Sequence, residues 1–303
     1  MYNNLAKKSV FFLSIFILLF MACDMSVSVA PTNPAPAPTE SLAPTAAAPT
    51  SLPATQAVNP TVVQTSFEGV EVTVDPLKLV LPATIASGAR GTQVPRAEGQ
   101  DLPVWGKTPG HLEVSLEGYA LQGKLQAPKI YVYPALDYAQ MVPAAFESIH
   151  RLDNILYPPG GPKLNDELPA VPFFNAQQVF ASNIQLMSFQ NGQGVRFLTE
   201  YAQYPASANN QDLFYHFQGV TRDGNYYIVA ILPISNPMLA ATSDAGAPLP
   251  SGGVPYPFMA DPNADMQLYY QSVVEVLNAT PSKDFTPMIE QLDQLIQSIQ
   301  IGQ

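Results

Sequence analysis

Two stretches, IQLMSFQNGQGVRFLTEYAQY (residues 184–204) and LFYHFQGVTRDGNYYIVAILPI (residues 213–234), decide the fold. Each is a run rich in Phe, Tyr, Val and Ile, residues that fit a pleated sheet surface, broken once by turn residues. In the first, Ile184–Gln190 and Val195–Tyr204 flank Asn191-Gly192-Gln193-Gly194; in the second, Leu213–Thr221 and Tyr226–Ile234 flank Asp223-Gly224. Asn-Gly and Asp-Gly supply the positive φ that tight hairpins need. The pair therefore predicts two consecutive hairpins in an antiparallel meander.

Upstream, Val70, Val72 and Val74 alternate with polar neighbours, the period of a half-buried strand. Leu77–Leu81 follows Pro76 and stops at Pro82; Leu112, Val114 and Leu116 alternate within 111–116; Ile130–Tyr133 lies between two prolines. The Gly- and Pro-rich span Ala86–Gly110 reads as a long surface loop with Trp105 folded back into the body. Met141, Val142, Ala145, Phe146, Ile149, Leu152 and Leu156 share one helical face. That helix starts near Pro143, because proline is tolerated only in a first turn, and ends at Pro158-Pro159-Gly160-Gly161-Pro162.

Downstream, a Pro/Gly/Ser loop (Ser235–Pro262) leads to two closing helices. One spans about 264–277 with Leu268, Tyr269, Val273 and Val276 inward. The other carries Phe285, Met288, Ile289, Leu292, Leu295, Ile296 and Ile299, with Ser282 or Asp284 as caps. Strands interleaved with about three helices predict an α+β fold: an antiparallel sheet built from hairpins, helices packed on one face, in a single domain over 66–303. The two hairpins and the closing amphipathic helix Leu292–Ile299 resemble the PsbP-like fold of small extracytoplasmic proteins. That resemblance implies a non-enzymatic accessory to a larger assembly and carries over no functional residue.

The first 65 residues have another composition. From Ser26 to Thr65 proline recurs among Ala, Thr and Ser, with one charge, Glu40, and no aromatic residue. Such a segment buries too little apolar surface to offset chain entropy. It is expected to be a disordered linker, extended toward polyproline II with a reach of at most roughly 120 Å. Before it, Lys7 and Lys8 precede an apolar run from Val10 to Ala22 that stops at Cys23, the sole cysteine. A positive start, a short apolar stretch and a small residue at the cut make residues 1–22 a secretory signal peptide; the run is too short to span a bilayer.

The cut site resembles the lipobox of bacterial lipoproteins, which prefers Leu, a small residue, Ala or Gly, then Cys. Ala22 and Cys23 fit; Leu19 stands one place early, Phe20 holds its usual slot and Met21 is larger than usual. The resemblance implies that Cys23 becomes a lipid-modified N-terminus (a diacylglyceryl thioether with N-acylation, palmitate among the chains), anchoring the protein to the cell membrane on its extracytoplasmic face. Ordinary cleavage nearby is the alternative. In some double-membrane bacteria an Asp after the cysteine, here Asp24, favours inner-membrane retention.

Losing Lys7 and Lys8 with the leader takes the formal charge from −11 to −13. That argues against nucleic acid and against anionic lipid headgroups as partners. With Cys23 taken by lipid, the folded part has no thiol for a disulfide, a metal or nucleophilic catalysis.

Chemistry-bearing motifs are sparse. His111, His150 and His216 share no ligand spacing. Asp261-Pro262-Asn263-Ala264-Asp265 opens like a calcium loop, but Met266 and Ser272 stand where an EF-hand needs Gly and Glu; helix capping explains it better. Gly-x-Ser-x-Gly and Ser-x-x-Lys are absent, and Ser251-Gly252-Gly253 reads as loop punctuation. Glu113 and Glu117, four apart on a strand, share one face as solvated acids, and Asp166-Glu167 sits in a loop. Gly192-Gln193-Gly194 lacks the third glycine and the helix of a dinucleotide site. Tyr201, Tyr204, Tyr215, Tyr226 and Tyr227 pack across strands or, alternatively, form an exposed platform.

The expectation is a non-enzymatic, membrane-anchored module without a cofactor that binds an unidentified ligand or protein partner. The alternative is an extracytoplasmic hydrolase of wall polymers or glycans with non-local catalytic residues. A solute-binding component of a transporter is disfavoured, because the βαβ rhythm of two α/β lobes is missing.

Overall fold

The alternation in the meander places one set of side chains on each face of a long antiparallel sheet. In a computed structural model of the chain, residues 67–161, 163–164, 167–257 and 264–302 are described; the leader, Cys23 and the proline-rich linker lie outside them. The elements are β1 (Val70–Val74), β2 (Leu77–Leu81), β3 (Gly88–Val94), β4 (His111–Glu117), β5 (Lys129–Pro134), α1 (Ala135–Met141), α2 (Pro143–Leu156), β6 (Gln177–Phe189), β7 (Gly192–Ala202), β8 (Phe214–Thr221), β9 (Tyr226–Pro233), α3 (Met266–Ala279), α4 (Ile289–Gln297) and β10 (Gln300–Ile301). Seven strands form one sheet in the order β3-β4-β5-β9-β8-β7-β6, and β1-β2-β10 form a small second sheet. Every pairing in both sheets is antiparallel. The fold is α+β.

Both hairpins are present, but the first turns one step earlier than its Asn-Gly suggests. Phe189 pairs with Gly192, so Gln190-Asn191 is the loop and both glycines belong to β7. Their role is close packing. A Cβ on Gly192 would strike the Phe189 ring and the Val220 carbonyl; one on Gly194 would strike the Gln218 carbonyl and the Phe217 ring. The second hairpin turns at Gly224, whose φ of +71° is the left-handed value expected there.

Helices cover both faces of the sheet, which corrects the expectation of one. Phe214 and Val220 of β8 and Tyr227, Val229 and Ile231 of β9 pack with Tyr138 of α1 and with Ala145, Leu152 and Ile155 of α2. Their alternate neighbours, Tyr215, Phe217, Ile228, Ala230 and Leu232, pack with Tyr269, Val273 and Leu277 of α3, with Leu292, Leu295 and Ile296 of α4, and with Leu77, Leu79 and Leu81 of β2. Every residue of β8 is buried. A strand buried on both sides reads as a nearly continuous apolar run, as IVAIL in β9 does.

Other local differences have physical causes. Within the span read as a loop, Gly88–Val94 forms β3 and pairs along its whole length with β4. It is an edge strand of sequence GARGTQV with no apolar alternation, so only its partner reveals it. Trp105 is not folded back: it stands 49 % exposed on a single 3₁₀ turn, Val104–Gly106. The short α1 precedes α2 and makes four α-helices among the described residues rather than about three. Phe146 and Leu268 point outward, Phe146 stacking 6.1 Å from the His150 ring.

Candidate functional site

The Pro/Gly/Ser loop after β9 is pinned down by amide side chains. The Asn210 side chain donates to the carbonyls of Asn236 and Leu239 (both 3.0 Å) and accepts from the Asn236 N–H (2.7 Å). Asn236 Oδ1 in turn accepts from the Met238 N–H (2.8 Å), and Asn209 bridges to Ala240. Two tyrosines close the opposite wall. Tyr269, on the first turn of α3, accepts from the Ala208 N–H through its hydroxyl (2.9 Å), and Tyr256 donates to the Pro205 carbonyl (2.9 Å). Their rings meet edge to face at 5.3 Å.

Between loop and tyrosines lies a cavity of about 510 Å³, within the range typical of small-molecule sites. Leu239, Leu249, Val254, Tyr256 and Tyr269 give it an apolar wall; Thr242 and Asp244, hydrogen-bonded to each other at 2.9 Å, edge it. Both tyrosine hydroxyls are bonded to backbone, Tyr269 as acceptor and Tyr256 as donor, so the cavity presents mainly shape and ring faces, with Ser207, Ser243, Thr242 and Asp244 as its polar side chains.

Behind the Ala208–Asn209 wall sits Glu200, 3 % exposed. Its carboxylate accepts from the Asn209 N–H (2.8 Å). Burial pushes its pKa well above the usual value, the Asn209 bond opposes this, Asp212 reinforces it and Lys124 lowers it. Lys124 donates to the Asn210 carbonyl and to Ser235 Oγ (2.6 Å), and burial lowers its pKa against the pull of Asp212 and Glu200. The same burial, partly relieved by the Ala208 bond, lifts the Tyr269 hydroxyl to about 12. The lining is apolar at Leu239, Leu249, Val254 and the two tyrosine rings, with the Asp244 carboxylate at its exposed edge, a surface suited to holding an apolar group.

The residues singled out from the sequence are dispersed. Cys23 lies outside the described residues, as do Asp166 and Asp261–Asn263. Asp265 caps α3, accepting from the Leu268 N–H at 3.0 Å, as the capping reading requires. His111 is buried, with Nδ1 2.8 Å from the Pro109 carbonyl. His150 meets Asn154 on α2. His216 is fully buried with Nε2 3.0 Å from the Val171 carbonyl, which places the proton on Nε2; desolvation drives its pKa down to about 3. These partners are carbonyls and side-chain amides, and His111 Nε2 also faces the Glu113 carboxylate at 3.6 Å.

Glu113 is held by Lys129 at 2.6 Å, and Glu117 is exposed. Tyr215 and Tyr227 are buried on opposite faces and Tyr204 is exposed, so the tyrosines form no platform. Ser251-Gly252-Gly253 forms a turn closed by the Gly253 N–H on the Pro250 carbonyl. Among the described residues no group of three or more His, Cys, Asp or Glu is placed to hold a metal. Tyr256, Leu249 and Val254 escaped sequence reading because they lie on an irregular segment with no periodicity. No known protein family, curated protein or solved structure matches this chain.

Proposed function

We propose that the chain is a non-enzymatic lipoprotein whose folded domain binds a small, largely apolar ligand in the cavity between the 236–256 loop and α3. On this reading Cys23 carries the lipid anchor and residues 24–65 are the tether. The domain works on the extracytoplasmic face of the cell membrane, in the accessory role that the PsbP-like pattern implies. The observation that carries it is the cavity of about 510 Å³ with the Tyr256–Tyr269 corner and a leucine–valine wall. Small-molecule sites are built this way, with apolar walls and few polar groups.

Thermal melting of the full chain against small apolar probes (indole, short fatty alcohols, terpenoid alcohols) tests it. A ligand at a hundred times its Kd adds about 2.7 kcal/mol to stability. A melting shift abolished by Tyr256→Ala supports the reading; no shift from any probe, or one that Tyr256→Ala leaves intact, removes it. Anchoring is tested separately: Cys23→Ala should leave the membrane fraction, because two or more acyl chains are what hold such a protein there. Continued detergent-phase partitioning of that variant would sink the anchor.

A further inference from the structure

Edge strand β6 does not run straight. Its register with β7 shifts between Ser182 and Gln185, and Asn183 in the bulge takes a φ of +49°. Among the described residues it is the one non-glycine with positive φ, a conformation that persists only where its surroundings hold it. Those surroundings are Arg196 and Asn278. Arg196 donates through Nη1 to the Asn183 carbonyl and through Nη2 to Gln185 Oε1 (2.6 Å), while Asn278 of α3 accepts from the Asn183 N–H (2.6 Å). Arg196 also meets both Asp293 oxygens, at 3.3 and 3.4 Å, so its charge is compensated.

Between the bulge and α3 opens a crevice of about 510 Å³, lined by Asn183, Gln185, Arg196 and Asn278 and by Ser182, Ile184 and Val274. Two polar side-chain atoms of its lining residues have no partner among the described residues: Ser182 Oγ, on a residue 1 % exposed, and the buried Asn183 Oδ1. Unpartnered buried polar atoms are rare in folded proteins, and each calls for a ligand or a water.

We propose that this crevice is a second binding site, separate from the apolar cavity, and that it takes a neutral saccharide. The lining holds no uncompensated charge, which disfavours both anions and cations. It offers a hydroxyl and three side-chain amides, Asn183, Gln185 and Asn278, beside the aliphatic faces of Ile184 and Val274. Adjacent sugar hydroxyls each donate and accept, matching an orphan acceptor next to an orphan hydroxyl. A peptide strand adding to β6 is the wrong shape for it: the bulge breaks the edge ladder, and the Asn183 N–H is already taken.

Isothermal titration and hydrogen–deuterium exchange on the full chain, with the trimers of N-acetylglucosamine and of glucose, test the site. The expected result is saturable binding of at least one trimer with slowed exchange in 177–189. Ser182→Ala and Asn183→Gly each weaken that binding about tenfold while melting temperature is unchanged, the loss of roughly one hydrogen bond. Ser182→Ala removes a hydroxyl that makes no protein bond, so the fold does not depend on it; Asn183→Gly suits the positive φ. Tyr256→Ala leaves saccharide binding intact, which separates this site from the apolar cavity. The proposal is overturned if neither trimer slows exchange in 177–189, or if both crevice variants bind as the parent does, in which case water alone occupies the crevice.

Discussion

The apolar cavity and the polar crevice have the same volume, about 510 Å³, and both adjoin α3, yet they are built on opposite terms. In the cavity the tyrosine hydroxyls are bonded to backbone, and what remains is surface to cover. In the crevice the hydrocarbon is limited and two polar atoms wait for partners. The first can give affinity through buried area with little discrimination; the second can discriminate, because a ligand lacking the right groups leaves the orphans orphaned. The charges at their backs differ in the same sense. Arg196 is compensated by Asp293, whereas Glu200 accepts from the Asn209 N–H and forms no salt bridge among the described residues.

Four measurements break or sharpen this contrast. The largest effect is expected from Arg196→Ala, which leaves Asp293 with the Tyr215 hydroxyl (2.8 Å) but without its cation and releases the bulge; breaking a buried pair costs about 3–5 kcal/mol. A loss under about 1 kcal/mol in urea unfolding would mean that the pair does not hold the crevice. Next comes Tyr256→Ala in ligand titrations: loss of this half-buried aromatic wall removes about 2 kcal/mol of binding at the cavity and nothing at the crevice.

Third, Glu200 sets a pH dependence. Its folded pKa is raised, so its contribution is fully present below the unfolded value near 4.5 and is lost as pH rises through the folded pKa. Stability should decline from about pH 4.5 upward, and Glu200→Gln should flatten that decline and stabilise the protein at pH 8. A parent profile that does not change above 4.5 contradicts the burial of an ionisable Glu200. The smallest effect is that of Ser182→Ala, within about 0.5 kcal/mol of the parent, since no protein hydrogen bond is lost. A loss above 1 kcal/mol would reveal a partner for Ser182 and undo the contrast.

Legibility from sequence followed regularity. The β8–β9 hairpin, α2 starting at Pro143 and the buried stripe Leu292, Leu295, Ile296 were readable because alternation and helical spacing are local. β3 was not, since GARGTQV has no pattern of its own and exists as a strand because β4 supplies its hydrogen bonds. The turn at Gln190-Asn191 was misplaced because Gly192 and Gly194 make way for the Val220 and Gln218 carbonyls of β8, which the hairpin's own sequence does not announce. Neither candidate site was visible. One rests on an irregular loop, the other on a bulge whose residues, Ser182, Asn183, Arg196, Asn278 and Asp293, lie far apart along the chain.

By itself the sequence determined the class, α+β, and most of its strands and helices, because hydrophobic periodicity and turn chemistry act over a few residues. Only the tertiary structure decided that helices flank both faces of the sheet, that a tyrosine-walled cavity forms under the 236–256 loop, and that a bulge leaves two polar atoms unmet. Those outcomes depend on which surfaces meet across a hundred residues of chain, and burial, cavities and unsatisfied groups exist only once they have met.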